Sequence, residues 1–208
     1  MQNGMLGNVS LSDFQGPRDD FEQKLTGPDG KIWLAAFKRF LRKENPWAKL
    51  LVQVDEVEVL GTTRFVAADM FGPNNYAGIK FFLGDSFKEN FLGKIEKRVP
   101  ATDLAVHILV RQSLDRPIID ELGGGREETF LYQLYELISR QPKGEDGPLL
   151  VDGKTNIFYI RDAAEVLWAV NVDWDSHRSE WNVNAYSTAH LVEWEVSRQV
   201  FSQVSPRS

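Results

Sequence analysis

The chain has 208 residues, a formal net charge of −6, three histidines and no cysteine. That composition excludes disulfides, thiolate catalysis and cysteine-ligated zinc, and makes a multi-histidine metal centre hard to build. Hydrophobic residues at 42% and charged residues at 26% fit one substantial globular domain with an appendage, and the acidic balance argues against a coat for nucleic acid.

Residues 1–30 are rich in Gly, Asp, Ser and Asn. They read as a loose segment, with at most a short helical piece near Asp13-Phe14 and Phe21 to Leu25. No apolar h-region marks a secretory signal, and no run approaches the roughly 18 apolar residues of a membrane span. With cysteine absent, the expectation is a cytoplasmic protein.

Gly27-Pro28-Asp29-Gly30 is turn chemistry before a clear helix over residues 31–44. Trp33, Phe37, Phe40 and Leu41 follow helical spacing, and Asn45-Pro46 stops the helix. Its other face carries Lys31, Lys38, Arg39, Arg42 and Lys43, with no acid before Glu44. On an acidic chain this is the sharpest charge asymmetry. It reads either as a solvated face or as a docking face for a partner, through Lys38, Arg39, Arg42 and Lys43. A protein partner is preferred; nucleic acid would also need base-reading side chains. Residues 1–49 are therefore an N-terminal segment, and residues 50–204 a single α+β domain.

Within that domain Trp47 to Leu60 has strand character with a phase slip at Glu56, the mark of a bulge. Arg64 to Ala68 and Gly78 to Leu83 read as short strands, and Asp85-Ser86 opens a short helix that Gly93 closes. Leu104, Val106, Ile108 and Val110 alternate with Ala105, His107 and Leu109 on a further strand. His107 is most simply a strand histidine. Asp115 caps a helix that ends at Gly123, with Pro117 in its first turn. Gly123-Gly124-Gly125 lacks the lysine, the Ser/Thr and the spacing of a phosphate loop. Glu127 to Gln141 is the second strong helix, with an apolar stripe of Phe130, Leu131, Leu134, Leu137 and Ile138 and acids in its first turn.

The predicted centre of the domain is an antiparallel β-meander: Pro148 to Val151, Thr155 to Arg161, Val166 to Trp174 and Trp181 to Ser187. Val166, Trp168, Val170, Val172 and Trp174 take one face, and Asn171, Asp173 and Asp175 the other. Symmetric closure over Asp175 to Glu180 sets Val172 opposite Val183, Trp174 opposite Trp181, Asp173 opposite Asn182 and Asn171 opposite Asn184. The greasy face is expected under the Glu127–Gln141 helix and the polar face in water. Leu191 to Phe201 is expected to add an edge strand.

Several stretches carry a resemblance: Arg64 to Phe71, Gly84 to Phe91, Pro117 to Gly123, Asn156 to Asp162, Leu167 to Val170 and Gln199 to Ser202. In this order they resemble an uncharacterised family of small proteins of small-genome, candidate-phyla (Patescibacteria-type) bacteria. Trp33-Leu-Ala-Ala-Phe-Lys-Arg-Phe-Leu-Arg-Lys-Glu-Asn-Pro-Trp47 resembles a segment that precedes unrelated bodies in such genomes. The resemblance implies a portable N-terminal module and assigns no site.

Two candidate sites remain. Asp173, Asp175 and His177 share a strand face and would serve a divalent cation, hence a metal-dependent hydrolase or nuclease; the plainer reading is a polar hairpin loop. Asn171, Asp173, Asn182, Asn184 and Tyr186, near Trp174, make a candidate recognition surface. The sequence therefore points to a binding or interaction protein rather than an enzyme. Its oligomeric state is left open.

Overall fold

The computed structural model describes residues 11–42, 48–73, 75, 77–123 and 125–204. The chain forms two compact units, Met1–Ala48 and Lys49–Ser208.

The first unit contains two helices, α1 (Leu11–Thr26) and α2 (Gly30–Leu41). The segment expected to be loose thus carries a 16-residue helix. Its pattern is weak because its apolar residues are few and Pro17 interrupts it. Phe21 meets Phe37 at 4.6 Å between ring centroids, and the Lys24 ammonium lies 4.5 Å from the centre of the Trp33 ring. Both helices contribute to these contacts, but only α2 carries a helically spaced apolar stripe, Trp33, Phe37, Phe40 and Leu41, that makes its periodicity legible.

The second unit is built on an eight-stranded sheet. In chain order its elements are β1 (Leu51–Val59), β2 (Phe65–Val66), α3 (Ala67–Phe71), β3 (Phe81–Leu83), α4 (Asp85–Phe91), β4 (Ile95–Glu96), β5 (Thr102–Leu109) and α5 (Asp115–Leu122). Then follow β6 (Glu128–Thr129), α6 (Leu131–Arg140), β7 (Asn156–Arg161), β8 (Leu167–Asp175), β9 (Glu180–Ser187) and β10 (Gln199–Gln203). The spatial order is β1-β5-β10-β7-β8-β9-β3, with β6 also on β7 and a separate β2-β4 pair. Most neighbours are antiparallel; β10 and β6 on β7, and β3 on β9, are parallel. The fold is α+β.

The β8–β9 register is the one the symmetric loop requires: Val172 with Val183, Trp174 with Trp181, Asp173 with Asn182 and Asn171 with Asn184. The bulge in β1 falls between Gln53 and Asp55. Four expectations change. Residues 148–151 form no strand. They are tied by the Asn156 side chain, which accepts the Leu150 N–H and donates to the carbonyls of Leu150 and Val172. Second, the C-terminal strand is central. β10 lies between β5 and β7, and Phe201 stacks on Phe158 at 4.4 Å.

Third, the greasy face is covered by α3, α4 and α6 together, with Phe71, Phe87, Phe91, Leu134 and Ile138 packed over Val170, Val172, Trp181 and Val183. α6 begins later than its apolar stripe suggests. Glu128 belongs to β6 and pairs with Arg161, and the first free N–H groups of α6, on Leu131 and Tyr132, bond the buried Glu96 carboxylate at 2.9 Å. Burial pushes the Glu96 carboxyl up, while those N–H groups and the Lys94 ammonium, 3.8 Å away, pull it down. Fourth, the polar face is not left in water. Ile118 and Leu122 of α5, together with Trp194, pack there on Ile157, Tyr159, Ala169 and Val200.

Candidate functional site

The covering of that second face creates the site. A strand's period of two places Thr155, Ile157 and Tyr159 of the β7 segment, Ala169 and Asn171 of β8, and Asn184 and Tyr186 of β9 on one side of the sheet. After Ser187 the chain leaves the sheet and crosses this side as a loop, residues 188–198. The loop is held in its C-terminal half. Trp194 and Ser113 exchange backbone hydrogen bonds at 2.7 and 3.2 Å, and Ser197 donates to the Leu109 carbonyl at 2.7 Å. Between loop, sheet and the start of α5 is a cavity of about 340 Å³, lined by Asp115, Thr155, Asn171, Tyr186, His190, Val192 and Trp194.

Its polar groups are unusual for their burial. Asn171 is 6% exposed, and its Oδ1 is enclosed without a hydrogen-bond partner among the described residues. Asp115 is 2% exposed. The sequence suggests a helix cap for it, but its Oδ1 accepts the Tyr159 O–H at 2.9 Å and the Trp194 indole N–H at 2.7 Å. Both bonds fall on one oxygen, which leaves Oδ2 as the acceptor still to be used. Burial pushes the Asp115 carboxyl up, against those two hydrogen bonds and the field of His190. Burial and the neighbouring Asp115 push the Tyr159 phenol far up, so it stays a proton donor. The remaining walls are aromatic. Tyr186 lies 6.0 Å from the His190 ring and 6.1 Å from that of Trp194, the latter edge-on at 60°.

Of the predicted recognition surface, Asn171 and Tyr186 line the cavity. Asp173 and Asn182 satisfy each other at 2.9 Å, and burial pushes the Asp173 carboxyl up against that bond. The Asn184 amide packs on the backbone of Gly84, where any Cβ would overlap it. Trp174 belongs to the opposite, greasy face and takes no part. The acids and histidine of the Asp173–His177 stretch are not gathered as ligands. The Asp175 Oδ1 accepts the N–H groups of His177 and Arg178 at 2.9 and 3.1 Å, which shapes the hairpin turn. Among the described residues no three His, Asp or Glu side chains are placed to hold a metal ion.

A serine and a histidine do meet elsewhere: His107 Nε2 and Ser202 Oγ are 3.0 Å apart across β5 and β10. Ser202 is 3% exposed, too enclosed for a nucleophile that must reach a substrate. Burial and the Arg126 charge hold the His107 imidazole below its usual range. The pair is a cross-strand hydrogen bond.

In the N-terminal unit, α2 presents Lys31 and Lys38 beside Leu34, Phe37, Phe40 and Leu41, and Phe40 and Leu41 are 57% and 64% exposed. Arg39 is half-buried and Arg42 forms the helix C-cap. Lys43 and Glu44 lie outside the described residues. Among the described residues no helix is long and apolar enough to cross a membrane.

No protein-family model, curated protein or solved structure matches the chain.

Sequence reasoning missed Asp115, Thr155, His190 and Trp194 as site residues. They come from three separate stretches with no common motif. The one available signal was Trp194 amid the exposed-looking run from His190 to Glu195, where a large aromatic has no strand partner.

Proposed function

We propose that residues 49–208 form a ligand-binding domain whose site is the cavity over Asn171, and that the N-terminal unit is its attachment element. One observation carries the reading. Polar groups withdrawn from water without full hydrogen bonding cost about 1–3 kcal/mol each, and two such side chains, Asp115 at 2% and Asn171 at 6% exposure, line the same cavity. The cavity volume falls in the usual range of small-molecule sites, and its lining is mainly apolar and aromatic with a few convergent polar groups. Among the described residues the Thr155 hydroxyl forms no hydrogen bond with His190 or Asp115, which also line it, and the site is read as one of recognition.

The test is a thermal-shift survey of the full chain with amino acids, amines, sugars and nucleosides, repeated on Asn171→Leu. A compound that raises the unfolding temperature of the wild type and not of the variant supports the reading. Equal shifts in both proteins, or none in the wild type, would count against it.

The attachment role rests on α2, where exposed Phe40 and Leu41 adjoin Lys38 and Arg39. A basic amphipathic face of this kind fits an acidic protein partner. Reversing Lys38, Arg39 and Arg42 to glutamate is expected to abolish capture of that partner in pull-downs. Capture that survives the reversal refutes the role.

A further inference from the structure

The cavity has a chemical bias that a generic pocket lacks, and the inference drawn from it rests on the ligand-binding reading above. Asp115 is a carboxylate at 2% exposure whose two hydrogen-bond donors, Tyr159 and Trp194, are both neutral. Buried carboxylates are ordinarily paired with a cation, because removing the charge from water is expensive. Among the described residues no lysine or arginine forms an ion pair with Asp115, and none lines the cavity. The field of His190 is the nearest compensation.

The rest of the wall suits a cation as well. Tyr186, His190 and Trp194 turn aromatic rings around the same space, with centroid separations of 6.0 and 6.1 Å. The negative faces of such rings attract a positive group, more strongly when it is desolvated. The Asp115 Oδ2 accepts none of the hydrogen bonds from Tyr159 and Trp194, and a primary ammonium brings three donors. An anionic ligand would meet the Asp115 charge with no basic residue on the wall to offset it. A sugar would hydrogen-bond to Asp115, Asn171 and Thr155 but would leave the carboxylate charge unbalanced.

We propose that the cavity binds a small organic amine, its ammonium seated on the Asp115 carboxylate and flanked by the rings of Tyr186, His190 and Trp194.

The experiment is isothermal titration calorimetry at pH 7.5 on the full chain with four probes: benzylamine, its neutral isostere benzyl alcohol, benzyltrimethylammonium, and methyl α-glucoside. Wild type, Asp115→Asn and Asn171→Leu are compared. Asparagine at 115 keeps an oxygen for the Tyr159 and Trp194 bonds, and an unchanged unfolding transition verifies that the variant folds. The expected result is benzylamine binding at least tenfold tighter than benzyl alcohol or the glucoside, with benzyltrimethylammonium between them for want of N–H donors. That preference should vanish in Asp115→Asn. An amine preference that persists in a folded Asp115→Asn overturns the proposal. So does alcohol or glucoside binding as tight as that of the amine; if that binding is lost in Asn171→Leu, the cavity reading stands and only the choice of ligand fails. Absence of heat from every probe up to millimolar concentration overturns the proposal, and the thermal-shift survey then decides the cavity reading separately.

Discussion

Replacing Asp162 with alanine should cost about 2–3 kcal/mol at pH 7, and the cost should shrink in acid. Asp162 closes the turn between β7 and β8. Its Oδ1 accepts the N–H groups of Ala164 and Val166 at 2.8 and 2.9 Å, and its Oδ2 accepts the Trp168 indole N–H at 2.8 Å. A hydrogen bond to a charged acceptor contributes about 1.5–3 kcal/mol. The side chain is 4% exposed, yet residues 163–166 around it are exposed, so water recovers much of the loss and the three bonds together are worth about 2–3 kcal/mol rather than their sum. Burial alone would raise the Asp162 carboxyl, but the bonds from Val166, Trp168 and Ala164 outweigh it and hold it below the usual carboxylate range. A depressed folded pKa contributes stability that is complete above the unfolded value, near ~3.9, and is lost as pH falls through the folded value. Asp162→Asn keeps an oxygen for the two backbone donors and turns an N–H group toward the indole, so it should lose about half as much. Urea unfolding followed by circular dichroism at pH 7, 5 and 3 measures all three proteins. A midpoint unchanged in Asp162→Ala, or a deficit as large at pH 3 as at pH 7, refutes the reasoning. The turn also matters for the site. A one-residue slip of β8 on β7 would carry Asn171 to the greasy face.

Two further outcomes follow from packing. Gly144 has φ +70° and its missing Cβ would overlap the Trp174 indole, whereas Gly153 has φ +81° and open space around it. Gly144→Ala should therefore cost about 2–4 kcal/mol and Gly153→Ala about 1 kcal/mol in urea unfolding, since only the first adds overpacking to left-handed strain; equal costs would show that the indole yields. Ending the chain after Arg198 removes β10 from between β5 and β7 and takes away Phe201, which is fully buried. That variant should lose its cooperative transition altogether, and one that melts within a few degrees of the wild type would show the strand to be dispensable.

The β8–β9 hairpin was legible because its information is local. Alternation in Val170, Val172, Trp174, Trp181 and Val183 allows a single register across a symmetric loop, and that pairing is observed. The later start of α6 was not legible, since Glu127 and Glu128 suit a helix's first turn as well as a strand end. The partner that decides is Arg161, more than thirty residues away. Position 115 shows the same limit from the side of function. An aspartate before Arg116-Pro117 reads as a cap, and its role changes only when Tyr159 and Trp194 arrive from distant stretches.

The sequence by itself determined the α+β class, the apolar and polar faces of the central strands and the basic amphipathic helix, because periodicity and turn chemistry act over a few residues. The tertiary structure alone decided that β10 is central and that residues 188–198 close over the polar face. It alone brought Asp115 and Asn171 to one cavity. Those outcomes depend on which long-range surfaces bury each other, and burial between distant segments leaves no mark in their local spacing.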